Sequence, residues 1–133
     1  MTAKEYLSQY YWVKKDIESM QREIEHLEVM AEYSSPRWVG GSNSGNDKSD
    51  KVGNIAVKIA DKQRELDCLI ERSLDLLDEI EACISRVEDS RYRYILTERY
   101  INCRKWESIA DDLHTDLRWV HRLHGRALKE IDH

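Results

Sequence analysis

Phenylalanine is absent from this 133-residue chain, which has only one proline and five glycines. Proline and glycine are the residues that most disfavour the interior of a helix. Charged residues, in contrast, make up 35% of the chain. Because few helix-breaking residues and many charges are typical of helices with long solvated faces, we expect an all-α protein.

Long apolar segments are also absent. No run approaches the roughly 18 residues that a membrane-spanning helix needs, and the first residues do not have the basic-then-apolar order of a signal peptide. The three cysteines, Cys68, Cys83 and Cys103, are odd in number and widely spaced, as is typical of buried, reduced thiols rather than a disulfide framework. We therefore expect a cytoplasmic protein that does not enter the membrane.

Two long heptad-like patterns occupy the first 87 residues. Thr2 and Glu5 have the spacing of a capping box, which predicts the start of a helix. A largely apolar stripe follows at steps of three and four, comprising Leu7, Tyr10, Val13, Ile17, Met20, Ile24, Leu27 and Ala31. A second stripe, interrupted at Lys62 and Ser73, predicts another helix from about Asp50 to Val87.

A segment rich in serine, glycine and asparagine, residues 34–50, separates the two patterns. Pro36 disfavours a helix there, and we interpret residues 34–50 as a flexible loop. Residues 1–87 are therefore predicted to form a long antiparallel helical hairpin. Such a hairpin is either a structural stalk or a surface for homo-oligomerisation or partner docking, because two helices leave part of their apolar stripes uncovered.

Three shorter helices are predicted after residue 87. The first spans Ser90–Ile101, the second Trp106–Leu113 and the third Leu117–Ile131. Between the second and third, a tight turn contains Thr115 and Asp116, either of which can cap the third helix with a side-chain oxygen. This order of helices and turn is typical of a helix-turn-helix.

The charge of the chain changes between these regions. Residues 1–84 hold 11 Lys and Arg against 17 Asp and Glu, whereas residues 85–133 hold 10 against 9. The segment Leu117–Lys129 contains no acidic residue, although solvated faces ordinarily mix both signs. Because a basic helix face favours nucleic acid, we predict that residues 88–133 form a domain that binds double-stranded DNA.

The third helix divides into two faces at about 100° per residue. Its core face is expected to hold Val120, Leu123, Ala127 and Ile131. On the other side, the guanidinium groups of Arg118 and Arg122 suit bidentate hydrogen bonds with guanine edges. Arg126 and Lys129 suit phosphates. Trp119 either packs at the edge of the domain or contacts DNA.

No catalytic, cofactor or metal site is predicted. The carboxylate pair Asp111-Asp112 lies on a helix surface near several cations and without a glycine-rich loop, which indicates solvated charge. His121 and His124 are three residues apart on one helix and have no matching cysteine pair, so a zinc site is not expected. Histidines on this helix would instead make DNA binding pH-sensitive. We expect a binding protein and not an enzyme.

The C-terminal residues resemble region 4 of sigma factors and, more narrowly, the ArpU/RinA-type phage transcriptional regulators of Gram-positive bacteria. The resemblance is carried by Tyr94-Ile95-Leu96, Arg99-Tyr100-Ile101, Trp106-Glu107-Ser108-Ile109-Ala110-Asp111-Asp112-Leu113 and Val120-His121-Arg122-Leu123-His124-Gly125-Arg126-Ala127-Leu128-Lys129. It implies activation of late phage or prophage genes in a bacterial host. Carried over by position, it implies DNA reading by Leu117, Arg118, Trp119, His121 and Arg122.

Two residues depart from the sigma-type pattern. Lys105 stands where a serine or threonine usually caps the second helix of the motif, so that helix is expected to be less well capped. Gly125 lies inside the third helix, where glycine costs about 1 kcal/mol relative to alanine. On the outward face, it would permit close approach of DNA or of another chain.

The sequence leaves two classes of DNA-binding function open. A transcription regulator would act as a dimer through the hairpin or beside RNA polymerase. A phage packaging protein of the small-terminase type would also attach a helix-turn-helix to an oligomerising helical hairpin. A large ring would favour packaging, and a monomer or dimer would favour regulation. A third, weaker alternative is a protein-interaction module with the same fold.

Overall fold

The computed structural model of the chain describes residues 1–34 and 45–132. These residues form helices and connecting turns without a strand, so the predicted all-α class is confirmed. The α-helices are α1, Ala3–Ser34; α2, Gly45–Ser85; α3, Ser90–Leu96; α4, Trp106–Asp112; and α5, Leu117–Ile131. None of the helices in the described residues is both long and apolar enough to cross a membrane.

The boundaries of the two long helices differ from the sequence prediction. α1 includes Ser34, and α2 begins at Gly45 rather than near Asp50. The predicted loop spans residues 34–50, and its last six residues, 45–50, are helical in the structure. These six residues contain no proline to interrupt the hydrogen bonds of a helix. The rest of that loop, residues 35–44, lies outside the described residues.

The predicted α-helix over Ser90–Ile101 changes its hydrogen bonding halfway. After α3, residues Thr97–Ile101 form a π-helical turn, which the Asn102 N–H closes by donating to the Thr97 carbonyl at 3.0 Å. A π-helical turn differs from α-helix by one extra residue per hydrogen-bonded ring. The prediction of continuous α-helix was wrong here because apolar spacing over so few residues does not reveal that insertion.

The described chain divides into two compact units. The first, which we call the discontinuous unit, contains residues 1–14 and 72–132; the second, the middle unit, is Lys15–Glu71. The predicted division into residues 1–87 and 88–133 therefore differs from the one in the structure. The reason is that the C-terminal helices share a core with the start of α1 and the end of α2.

Two apolar clusters stabilise the discontinuous unit. One joins Leu7 of α1 and Ile80 of α2 to Ala127 of α5. The other joins the three C-terminal α-helices and consists of Ile95, Ile109, Ala110, Val120 and Leu123. Each fully buried leucine or isoleucine contributes about 1.5–3 kcal/mol. Because α5 contributes to both clusters, its position depends on the start of the chain as well as on α3 and α4.

Polar contacts at the start of α1 reinforce this connection. The Thr2 hydroxyl accepts from the Glu5 N–H at 3.2 Å, and the Glu5 carboxylate accepts from the Thr2 N–H at 3.1 Å. The predicted capping box is thus confirmed. The Ala3 N–H donates to the Asp132 carboxylate at 3.1 Å, so the first turn of α1 is bonded to the residue that follows α5.

The middle unit contains the remaining parts of α1 and α2. Ile24, on the predicted apolar stripe of α1, is buried. Lys62, which interrupts the stripe of α2, donates to the Glu23 carboxylate of α1 at 2.7 Å. The interruption therefore places an ion pair between the two helices. Other apolar side chains of this unit, including Val29 and Val57, are exposed.

The turn between α4 and α5 depends on a left-handed residue. His114 has a φ of 52°, a conformation that favours glycine. Its N–H donates to the Asp111 carbonyl, and the Thr115 N–H donates to the Ala110 carbonyl, both at 3.1 Å. These two bonds form a Schellman motif, which ends α4 and turns the chain toward α5.

We expect His114→Gly to raise the free energy of unfolding by about 1 kcal/mol, because glycine adopts this backbone conformation without the steric cost of a Cβ atom. Urea denaturation measures the change. His114→Ala is the control, since it removes the imidazole but keeps the Cβ atom. Equal stability of the two variants would contradict this reading of the turn.

Candidate nucleic-acid interface

Different residues begin the two helices on either side of this turn. The Asp116 carboxylate accepts from the Trp119 N–H at 2.7 Å. Of the two predicted caps of α5, Thr115 and Asp116, the aspartate therefore makes the bond. α4 has Lys105 at the corresponding position and no side-chain cap, as the sequence predicts. The side-chain cap fixes the first turn of α5 to the preceding turn.

The two faces of α5 differ in burial as the helical spacing predicts. Three of the four predicted core residues are buried, and Ile131 is half-buried. Of the predicted DNA-binding residues, Trp119 is half-buried and six are exposed, namely Leu117, Arg118, His121, Arg122, Arg126 and Lys129. We call these six the basic face of α5. They lie within a segment that contains no acidic residue.

Gly125 is also exposed on α5. A Cβ atom added at this position would meet no other atom within 4 Å. Packing inside the protein therefore does not require glycine here, although glycine weakens the helix.

Trp119 and Arg126 contact each other on the surface of α5. The guanidinium carbon of Arg126 lies 5.5 Å from the centre of the Trp119 ring, a distance suited to a cation–π interaction. Trp119 also packs against the cluster that contains Ile109 and Val120. Trp119 thus packs at the edge of the domain, and its ring contacts a cation of the basic face. Contact of Trp119 with DNA stays a prediction.

Trp106 of α4 lies within a group of side chains that includes two histidines of α5. Its ring centroid is 5.0 Å from that of His121 and 4.5 Å from that of His124. The guanidinium carbon of Arg99 lies 4.6 Å from the centre of the Trp106 ring. The sequence prediction assigned no role to Trp106, because no spacing rule relates residues on two helices separated by a turn.

His124 lies on the buried side of α5, where its Nε2 atom is 2.6 Å from the Tyr100 hydroxyl. Burial lowers the pKa of His124 to about 4, and the charges of Lys4, His121 and Arg99 also lower it. Burial raises the pKa of Tyr100 to about 12. The expectation that histidines of α5 make DNA binding pH-sensitive therefore does not extend to His124, which is neutral near pH 7.

The buried His124 is expected to make the fold less stable in acid. The unfolded chain binds a proton at His124 with a pKa of about 6.5, whereas the folded chain binds it only near pH 4. Its stabilising effect is therefore complete above pH 6.5 and is lost as the pH falls toward 4, by at most about 1.4 kcal/mol per pH unit. Urea denaturation at a series of pH values gives the free energy of unfolding as a function of pH. Between pH 6.5 and 4, this free energy should fall less steeply for His124→Gln than for the wild type. Equal pH dependence of the two proteins would rule out this role for His124.

An ion-pair network connects α4 to the residues before it. Arg104 pairs with Glu98 at 3.1 Å and also with Asp112. The Tyr94 hydroxyl donates to the Asp112 carboxylate at 2.8 Å. Hydrogen bonds from Arg104 and Tyr94 lower the pKa of Asp112. The negative charge of Asp112 is thus paired within the unit that carries the basic face.

The cysteines are free but not buried. Cys68 is exposed, and Cys83 and Cys103 are partly exposed. The prediction of buried thiols was wrong because the burial of a cysteine depends on its helix face, and Cys68 lies off the apolar stripe. Within residues 1–34 and 45–132, no group of three or more His, Cys, Asp or Glu side chains is placed to bind a metal ion.

Comparison with protein-family models, with curated proteins and with solved structures gives no match for this chain. The resemblance of residues 94–129 to sigma factor region 4 and to ArpU/RinA-type regulators therefore stays a prediction.

Proposed function

We propose that the chain binds double-stranded DNA sequence-specifically, with α4 and α5 as the two helices of a helix-turn-helix. The observation that carries this proposal is the division of α5, which has buried apolar residues on one side and exposed cations on the other. No acidic residue interrupts Leu117–Lys129. A helix held by a core along one face and basic along the other suits the major groove, which is about 12 Å wide.

The residues of the basic face have different roles in this proposal. Arg118 and Arg122 read guanine edges through bidentate hydrogen bonds. Arg126 and Lys129 bind phosphates and set the orientation of the protein on the duplex. Leu117, at the start of α5, suits contact with a thymine methyl group. These roles require neither a catalytic residue nor a cofactor.

Gly125 and Trp119 support the same proposal. Open space beside Gly125 lets a DNA backbone or base edge approach α5 closely. Trp119 holds the guanidinium of Arg126 and so limits the conformations of a phosphate-binding side chain before DNA arrives.

We further propose a role in transcription, as an activator of late phage or prophage genes in a bacterial host, because the C-terminal residues resemble ArpU/RinA-type regulators. Exposed apolar side chains on the two long helices, such as Trp12, Met30 and Leu74, favour homo-oligomerisation through the predicted hairpin. RNA polymerase is a further partner in this proposal. The same exposed side chains favour the second candidate function, DNA packaging of the small-terminase type.

Selection of bound duplexes from a random pool tests the proposal. We expect one sequence to be enriched, in two half-sites if the protein binds as a dimer. Light scattering on the same sample separates the two candidate functions, since a monomer or dimer supports regulation and a large ring supports packaging. A pool that stays random after selection would contradict sequence-specific binding.

A further inference from the structure

His121 differs from its neighbours on the basic face in its contact with α4. Its ring centroid lies 5.0 Å from that of Trp106, and the two ring planes are inclined by 54°. His121 is exposed, whereas Trp106 is half-buried. Trp106 also contacts His124 at 4.5 Å between centroids and the Arg99 guanidinium at 4.6 Å. The imidazole of an exposed residue is therefore held by a ring that has two other partners.

The contact between His121 and Trp106 affects binding, because ordering a mobile side chain at an interface makes the free energy of binding less favourable. An imidazole already held against an indole loses less freedom when it meets a ligand. An imidazole always offers at least one N–H donor, and purine N7 atoms accept hydrogen bonds in the major groove. On the basic face, His121 lies between Arg118 and Arg122 in sequence.

We propose that His121 reads a purine at one base pair and that Trp106 is the positioning residue that holds its imidazole for this contact. This inference rests on the proposed function, DNA binding by α5. It assigns a role in sequence recognition to a residue of α4 that need not touch DNA itself.

A double-mutant cycle tests the coupling of the two residues. Wild type, His121→Ala, Trp106→Phe and the double variant are titrated with the duplex selected by the wild type and with single base-pair substitutions of it. We expect His121→Ala to lose about fivefold to tenfold in discrimination at one base pair. Trp106→Phe should lose part of the discrimination at the same base pair, and the double variant should lose no more than His121→Ala.

Trp119→Phe is the matched control, since it alters the other indole that supports a residue of the basic face. It should change affinity for all duplexes and leave the preference at the His121 base pair intact. Thermal unfolding verifies the fold of each variant. His121→Ala removes an exposed side chain, so its base preference tests the role of His121 even if Trp106→Phe is unstable.

Proton NMR of the free protein gives a readout that does not depend on DNA. The ring current of Trp106 should change the chemical shifts of the imidazole protons of His121 from their usual values. Trp106→Phe should reduce this change. Additive losses in the double variant, or unchanged discrimination in His121→Ala, would overturn this inference alone if Arg118 and Arg122 still determine specificity. A wild type that prefers no duplex would overturn both this inference and the proposed function.

Discussion

Replacing Leu7 by alanine is expected to lower the free energy of unfolding by about 2–5 kcal/mol and to weaken DNA binding, although Leu7 and α5 are at opposite ends of the chain. Leu7 is 0% exposed and belongs to the same cluster as Ile80, Tyr100 and Ala127. The cavity left by the substitution would lie in the cluster to which α5 contributes Ala127. Urea denaturation measures the loss of stability, and titration with the selected duplex measures the loss of affinity.

Leu74→Ala is the matched control, because it makes the same chemical change at a residue of α2 that is 56% exposed. It should change stability by no more than about 0.5 kcal/mol. A fragment containing only residues 88–133 should not fold, since it lacks the part of the core formed by Leu7 and Ile80. Equal losses for the two leucine variants, or a stably folded fragment, would contradict a core shared between α5 and the start of the chain.

Replacing both Arg118 and Arg122 by alanine is expected to abolish the preference for the selected duplex. Each bidentate contact with a base contributes about 1–3 kcal/mol of discrimination, so the two losses together exceed tenfold. Lys129→Ala should weaken all duplexes alike and reduce the slope of log affinity against log salt concentration by about 1. Competition titrations against a random duplex at several salt concentrations separate the two effects.

Arg64→Ala combined with Arg72→Ala is the control for charge. It removes the same charge from two exposed residues of α2 and should leave the sequence preference intact. If the two double variants bind the selected duplex equally, the assignment of base reading to Arg118 and Arg122 is wrong.

The sequence predicts α5 more accurately than any other helix. Its bounds, Leu117–Ile131, agree with the prediction, because a strong 3.6-residue period coincides with a capping residue at Asp116. Burial of Val120, Leu123 and Ala127 follows from the same period. Exposure of the basic face could therefore be predicted from local information.

The division into compact units could not be predicted in this way. The contacts that place Leu7 and Ala127 in one core join residues from opposite ends of the chain, and heptad patterns report only which face of a helix is apolar. A hairpin of residues 1–87 beside a separate domain satisfies the same local pattern. The physical difference lies in the start of α1 and the end of α2, which supply part of the core for the C-terminal helices.

Two interruptions of the stripe in α2 have different outcomes. Lys62 bonds to Glu23, so a charged side chain on the stripe is paired within the middle unit. Ser73 is buried, although its side chain is polar. The pattern marks both as breaks, because a hydrophobic period does not take account of ion pairs or of buried polar side chains.

The contacts of Trp106 also depend on tertiary structure. The distance between Trp106 and His121 follows from the turn at His114 and the crossing of α4 with α5. The contact of the buried His124 with Tyr100 depends on the π-helical turn, which the sequence did not predict. Residue types alone therefore do not reveal that both histidines contact Trp106.

The most direct test of DNA binding by α5 is an NMR titration of the labelled protein with the selected duplex, in which backbone amide signals are followed residue by residue. The largest changes are expected within Leu117–Lys129 and in the turn that precedes it. Changes confined to the middle unit, Lys15–Glu71, or signals that do not respond to the duplex would contradict the proposal that α5 is the DNA-binding helix.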